Sequence, residues 1–108
     1  MPVRVVLCNV PPDEAGRIAR SVVEEGLAAC VNLLPGVRSV YRWEGRVEEA
    51  EETTLLIKTT AERAPALRAR LCALHPYDTP EILALPVDEA SSDPRYLDWV
   101  RRCTAETP

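Results

Sequence analysis

The chain has 108 residues, 46% hydrophobic and 28% charged, which is the balance of one globular domain spanning residues 1–108. Its net charge of −4, with acidic and basic residues interspersed, offers no electrostatic footprint for nucleic acid or an anionic membrane. No apolar run approaches the roughly 20 residues of a bilayer span and no signal-peptide pattern is present, so the expected compartment is the cytoplasm.

Residues Val3 to Asn9 form a continuous valine-rich run that reads as a central strand. Pro11-Pro12-Asp13 ends it and opens a helix, with Asp13 and Glu14 suited to the positive helix start. Ala15, Ile18, Ala19, Val22 and Val23 make its apolar stripe, and Gly26 is the expected stop. Ala28 to Leu34 returns to strand. Pro35-Gly36 interrupts it as a bend or bulge, and strand character resumes from Val37 to Trp43.

Trp43-Glu44-Gly45-Arg46 is a hairpin tip, where a two-residue turn and a three-residue loop fit equally well and leave the register open by one residue. The return strand runs from Val47 to Thr59 and carries Glu48, Glu49, Glu51 and Glu52 opposite Arg38, Arg42 and Arg46. A metal-binding acidic patch is one reading. Solvated cross-strand ion pairs, each worth less than about 1 kcal/mol, are the favoured one. Thr59 and Glu62 have capping-box spacing for a second helix ending near Leu74, with Pro65 in its first turn.

His75-Pro76-Tyr77-Asp78-Thr79-Pro80-Glu81 then gathers the only histidine, a tyrosine and two carboxylates between two prolines, on a stiff connector. Ile82 to Leu85 reads as a buried strand closed by Pro86-Val87. Ser91-Ser92-Asp93-Pro94 supplies a cap for a third helix with Tyr96, Leu97 and Val100 on its apolar face, and fraying is expected after Thr104.

This order, βαββαβ with an added C-terminal helix, predicts an α+β ferredoxin-like fold: an antiparallel sheet in the order 4-1-3-2 with two helices on one face. One dimension conflicts with a monomer. Ala29 to Trp43 fully extended reaches on the order of 50 Å, against a radius of gyration near ~13 Å for this length. Val37, Val40, Tyr41, Trp43 and Val47 would then sit in water on an overhanging hairpin, unless copies assemble in a ring and cover each other's arms.

Leu27-Ala28-Ala29-Cys30-Val31-Asn32, Tyr41-Arg42-Trp43-Glu44-Gly45, Ile57-Lys58-Thr59 and His75-Pro76-Tyr77 through Pro80-Glu81-Ile82 resemble the CutA family of divalent-cation tolerance proteins. Tyr96-Leu97-x-Trp99 extends the resemblance over nearly the whole chain. It implies a cytoplasmic homotrimer of ferredoxin-like subunits, linked to copper tolerance, able to bind copper and other divalent cations, and shaped like the PII signalling proteins.

Thiolates and imidazole suit copper and zinc, and carboxylates complete such shells. Three arrangements are open: His75 with Cys72 at i,i+3; His75 with Cys8 and Glu81 at one pole of the sheet; and Cys30, which the resemblance favours. Cys30 and Lys58 fall at the opposite pole from His75, so joining them requires a subunit boundary. The four cysteines have no paired spacing, and a core role is the ordinary expectation for Cys8 and Cys30.

The alternative function is a PII-like signalling or scaffold trimer. Its intersubunit clefts, lined by Trp43, Lys58, Tyr77, Asp78 and Glu81, would hold a small anionic ligand or a protein segment. Trp43 also suits a hydrophobic anchor between subunits. A nucleophilic cysteine, Cys30 or Cys8, with His75 as base lacks a third orienting group, so binding is expected rather than catalysis, with no tightly held cofactor.

Overall fold

The computed structural model describes residues 1–105. β1 (Val3–Val10) lies at the centre because both its faces are apolar. It pairs antiparallel with β3 (Arg46–Thr60) on one side and β4 (Ile82–Pro86) on the other. β2 (Cys30–Trp43) adds to the outer side of β3, giving the order β2-β3-β1-β4, which is the expected 4-1-3-2 read from the other edge.

The main core lies on one face. Val6, Cys8 and Val10 of β1 and Leu55 and Ile57 of β3 meet Ile18 and Val22 of α1 (Ala15–Glu24) and Leu67 and Leu71 of α2 (Ala64–Leu74). Each such side chain, fully buried, contributes about 1.5–3 kcal/mol. The stripe expected on α1 is the buried one except at Val23, which is 40% exposed. On the opposite face α3 (Pro94–Thr104) covers only one end, packing Leu97 and Val100 on Val3, Ala29 and Val87. Leu83 and Leu85, paired with Leu7 and Val5, stay 54% and 42% exposed on the rest of that face.

Capping followed the sequence at one helix and departed from it at another. Asp93 accepts from the Arg95 backbone N–H at 2.8 Å with Pro94 just inside α3, as its motif required. The Thr59–Glu62 capping box does not form, because β3 continues through Thr60. Thr59 is buried and its hydroxyl donates to the Leu27 carbonyl at 2.7 Å instead. The first helix is likewise preceded by a single 3-10 turn over Pro12–Glu14.

The hairpin turn has two residues. Trp43 pairs with Arg46, and Glu44 and Gly45 have φ of 49° and 77°, the geometry of a type I′ turn, which matches the twist of the flanking strands. Farther back, Leu34 pairs with Thr54 but Val37 pairs with Glu52, so Pro35-Gly36 is a bulge, with Gly36 in the left-handed region at φ 74°.

The arm projects as its length requires. The molecule measures 45 × 30 × 21 Å, and Val40, Trp43 and Val47 are 63%, 52% and 69% exposed. Of the four β3 glutamates only Glu51 lies opposite an arginine, Arg38, which bridges diagonally to Glu49 at 2.8 Å in solvent, a geometry of little net stability. Glu48, Glu49 and Glu52 lie opposite Tyr41, Val40 and Val37. The fraying expected after Thr104 bears on a tail that lies largely outside the described residues.

Candidate functional site

The connector after α2 is held by the one histidine. His75 leaves the helix with extended geometry (φ −78°, ψ 136°), as the following proline demands. Its ring is buried at 7% exposure. Nδ1 accepts the Tyr77 backbone N–H at 3.1 Å, which places the ring proton on Nε2, and Nε2 donates to the Asn9 carbonyl at 2.7 Å. The Tyr77 ring lies against it with centroids 4.7 Å apart. His75 thus ties the connector to the end of β1, and both of its nitrogens are occupied in doing so.

Beyond that tie, the connector and the foot of the arm enclose a groove of about 630 Å³. Tyr41 and Trp43 of β2 and Glu52 of β3 form one wall, and Tyr77, Asp78 and Glu81 of the connector form the other. Glu52 is only 7% exposed, an unusual depth for a carboxylate. It stands beside the Tyr77 hydroxyl, whose pKa is raised by burial first, then by the Glu52 charge and hydrogen bond, and by Tyr41. The groove is therefore acidic and aromatic.

Cys30 occupies the other pole. It is paired with Lys58, six residues along β3 from Glu52 and so about 20 Å away. The Lys58 ammonium lies 4.0 Å from the Cys30 sulfur and donates to the Asn32 side chain and, at 3.1 Å, to the Leu56 carbonyl. Tyr96 of α3 adjoins this cluster. Burial raises its hydroxyl pKa, followed by Cys30 and Cys103. Cys30 is half-buried at the start of β2, an edge strand whose outer side is unpaired among the described residues.

Of the candidate ligands, His75 and Glu81 lie at one pole, beside Asn9 and Tyr77, and Cys30 lies at the other beside Lys58. Cys8 shares the first pole, but it is fully buried, and burial, followed by Glu81, Cys72 and Glu52, pushes its thiol up to about 12. That favours the core role over a thiolate ligand. Cys72 is exposed on α2, while His75 points inward to β1. No group of three His, Cys, Asp or Glu side chains that could hold a metal ion occurs among the described residues. Trp43, Tyr77 and Asp78 share the groove within a single chain, and Lys58 stands apart from them.

Sequence reading missed Glu52 as a groove residue, treating it as one of a solvated run. The available signal was its pairing across the bulge: Val37, Ser39, Tyr41 and Trp43 share a sheet face with Glu52 only because Pro35-Gly36 adds one residue.

Residues 4–103 match the family of CutA1 divalent ion tolerance proteins. The Divalent-cation tolerance protein CutA of Thermus thermophilus is 54% identical over 101 residues, covering 93% of this chain and 96% of the relative. The chloroplastic Protein CutA of Arabidopsis thaliana is 45% identical over 105 residues, 96% of this chain and 57% of that longer protein. Among solved structures, the PII-like protein CutA from Nostoc superposes with a TM-score of 0.90 at 42% identity, covering 94% of this chain and 97% of its own. A match running from β1 into α3, with the ferredoxin-like topology underneath it, leaves one assignment: this chain belongs to the CutA family of divalent-cation tolerance proteins.

Proposed function

We propose that the protein acts in the cytoplasm as a self-assembling homotrimer that takes up copper, or another divalent cation, through Cys30. Family membership over residues 4–103 carries the link to cation tolerance. Cys30 is the donor that fits, since its thiol is partly accessible beside the open edge of β2. Cys8 is sealed in the core and His75 has spent both ring nitrogens on backbone groups. A complete metal shell would draw its remaining donors from another copy.

Support for self-association is physical. The arm leaves Val40, Trp43 and Val47 in solvent, β2 presents an unpaired edge, and Leu83 and Leu85 cover an open sheet face. Native chains cover such edges and patches.

Copper titration of the purified assembly tests the reading. Sub-micromolar uptake abolished by Cys30→Ser, and retained by the exposed control Cys72→Ser, is expected. Unchanged uptake in Cys30→Ser would exclude the assigned donor.

A PII-like ligand-binding role is the second reading, favoured by the ligand-sized groove. With Glu52, Asp78 and Glu81 around it and Lys58 at the other pole, however, no positive group for an anion lines that groove among the described residues of one chain.

A further inference from the structure

We propose that Arg17 is the positioning residue for the connector 75–81, clamping it from the exposed side while His75 holds it from the buried side. The guanidinium reaches from α1 to the end of α2. Its Nη2 donates to the Leu74 carbonyl at 3.1 Å, the last carbonyl before the connector. Glu14 aims it: the Oε2 of that carboxylate accepts from Nε at 2.8 Å and from Nη2 at 2.6 Å.

Electrostatics favour the pair at both helix ends. A helix leaves its final carbonyls without intrahelical partners, and the last turn of α2 carries no basic residue of its own. Arg17 brings positive charge to that negative end from a different helix. Glu14 stands at the N-cap of α1, the positive end, so each member sits where a helix dipole favours its sign. With Arg17 50% exposed, such a pair adds little to global stability, and its consequence is local.

Both holds on the connector trace to one junction. The His75 ring donates to the Asn9 carbonyl near the end of β1, and the adjacent Leu74 carbonyl accepts from Arg17 just past the turn that follows. That turn is closed by the Glu14 N–H donating to the Pro11 carbonyl at 3.0 Å. Gripped at two successive residues, with Pro76 fixing the next φ, the connector that carries Tyr77, Asp78 and Glu81 keeps little freedom.

Amide hydrogen exchange of the purified assembly, resolved by residue and compared at one protomer concentration, tests the clamp. Two reporters are built in. The His75 N–H donates to the Leu71 carbonyl at 2.9 Å, and the Tyr77 N–H donates to the His75 ring. Arg17→Ala should speed exchange at both by about two- to fivefold, the scale of one exposed charged contact, with the arm-tip amides unchanged. Arg17→Lys, which still brings a donor and a charge, should recover part of this. Arg20→Ala is the control, since Arg20 pairs with Glu24 within α1 at 3.7 Å, and it should leave both reporters alone. Unchanged exchange at both reporters in Arg17→Ala would overturn the proposal. So would equal acceleration at the arm tip, or an equal effect from Arg20→Ala. The clamp does not involve Cys30, so its failure and that of the copper reading are distinguishable.

Discussion

Replacing His75 with alanine removes both ties between the connector and β1. The Nε2 donor at 2.7 Å from the Asn9 carbonyl and the Nδ1 acceptor at 3.1 Å from the Tyr77 N–H disappear together. Each backbone group left without a partner costs about 1–3 kcal/mol when dry. The groove next to the connector admits water, so the lower half of that range applies to each. The two groups together give a destabilisation of about 2–4 kcal/mol, and the lost contacts of a ring that is 7% exposed add to it.

At roughly 4–8 °C per kcal/mol for a domain of this size, the thermal midpoint should fall by at least about 8 °C. Denaturant and thermal unfolding must be compared at one protomer concentration, because assembly contributes to the midpoint. His75→Gln, whose amide both donates and accepts, should recover part of the loss. A change below about 0.5 kcal/mol in His75→Ala, the scale of ordinary surface substitutions, would refute the role assigned to the ring. If the loss is as large as expected, reduced copper uptake in His75→Ala would report damaged packing, and only Cys30→Ser tests ligation cleanly.

Two other outcomes follow from exposed contacts. Trp43→Ala should weaken assembly more than the subunit fold, since Trp43 is half exposed on the arm and outside both core clusters. Sedimentation of an intact oligomer at low micromolar concentration would contradict this. Glu89 accepts the Val3 N–H at 2.8 Å and pairs with Arg101; these bonds, the Val3 one first, hold its carboxyl below its ordinary value of 4.5. Its stabilisation is therefore present above that ordinary value and lost as pH falls through the lowered folded value. Glu89→Gln should melt below the wild type at neutral pH, with the gap closing in acid; a gap that stays constant with pH would exclude the linkage.

The order of elements was legible because each one repeats a simple local signal. The valine run of β1, the 3.6-residue stripe of α1 and the Asp93-Pro94 cap are each decided by neighbours a few positions away. That order and strand pairing largely prescribe the sheet, and the length of β2 alone announced the overhang. The Thr59–Glu62 box misled for the converse reason. The same threonine had a tertiary alternative in the Leu27 carbonyl, and the β1–β3 ladder carries β3 past the expected helix start.

The groove lay beyond such reasoning. Whether Tyr41 and Trp43 face Glu52 or point away depends on one bulged residue at Pro35-Gly36, since side chains alternate at each step along a strand. Whether His75 is free for a metal depends on a carbonyl 66 positions away. Local patterning determined which strands and helices exist and that an arm must overhang. Long-range packing alone decided which polar groups were already satisfied, as the His75 ring is by the Asn9 carbonyl and the Tyr77 N–H.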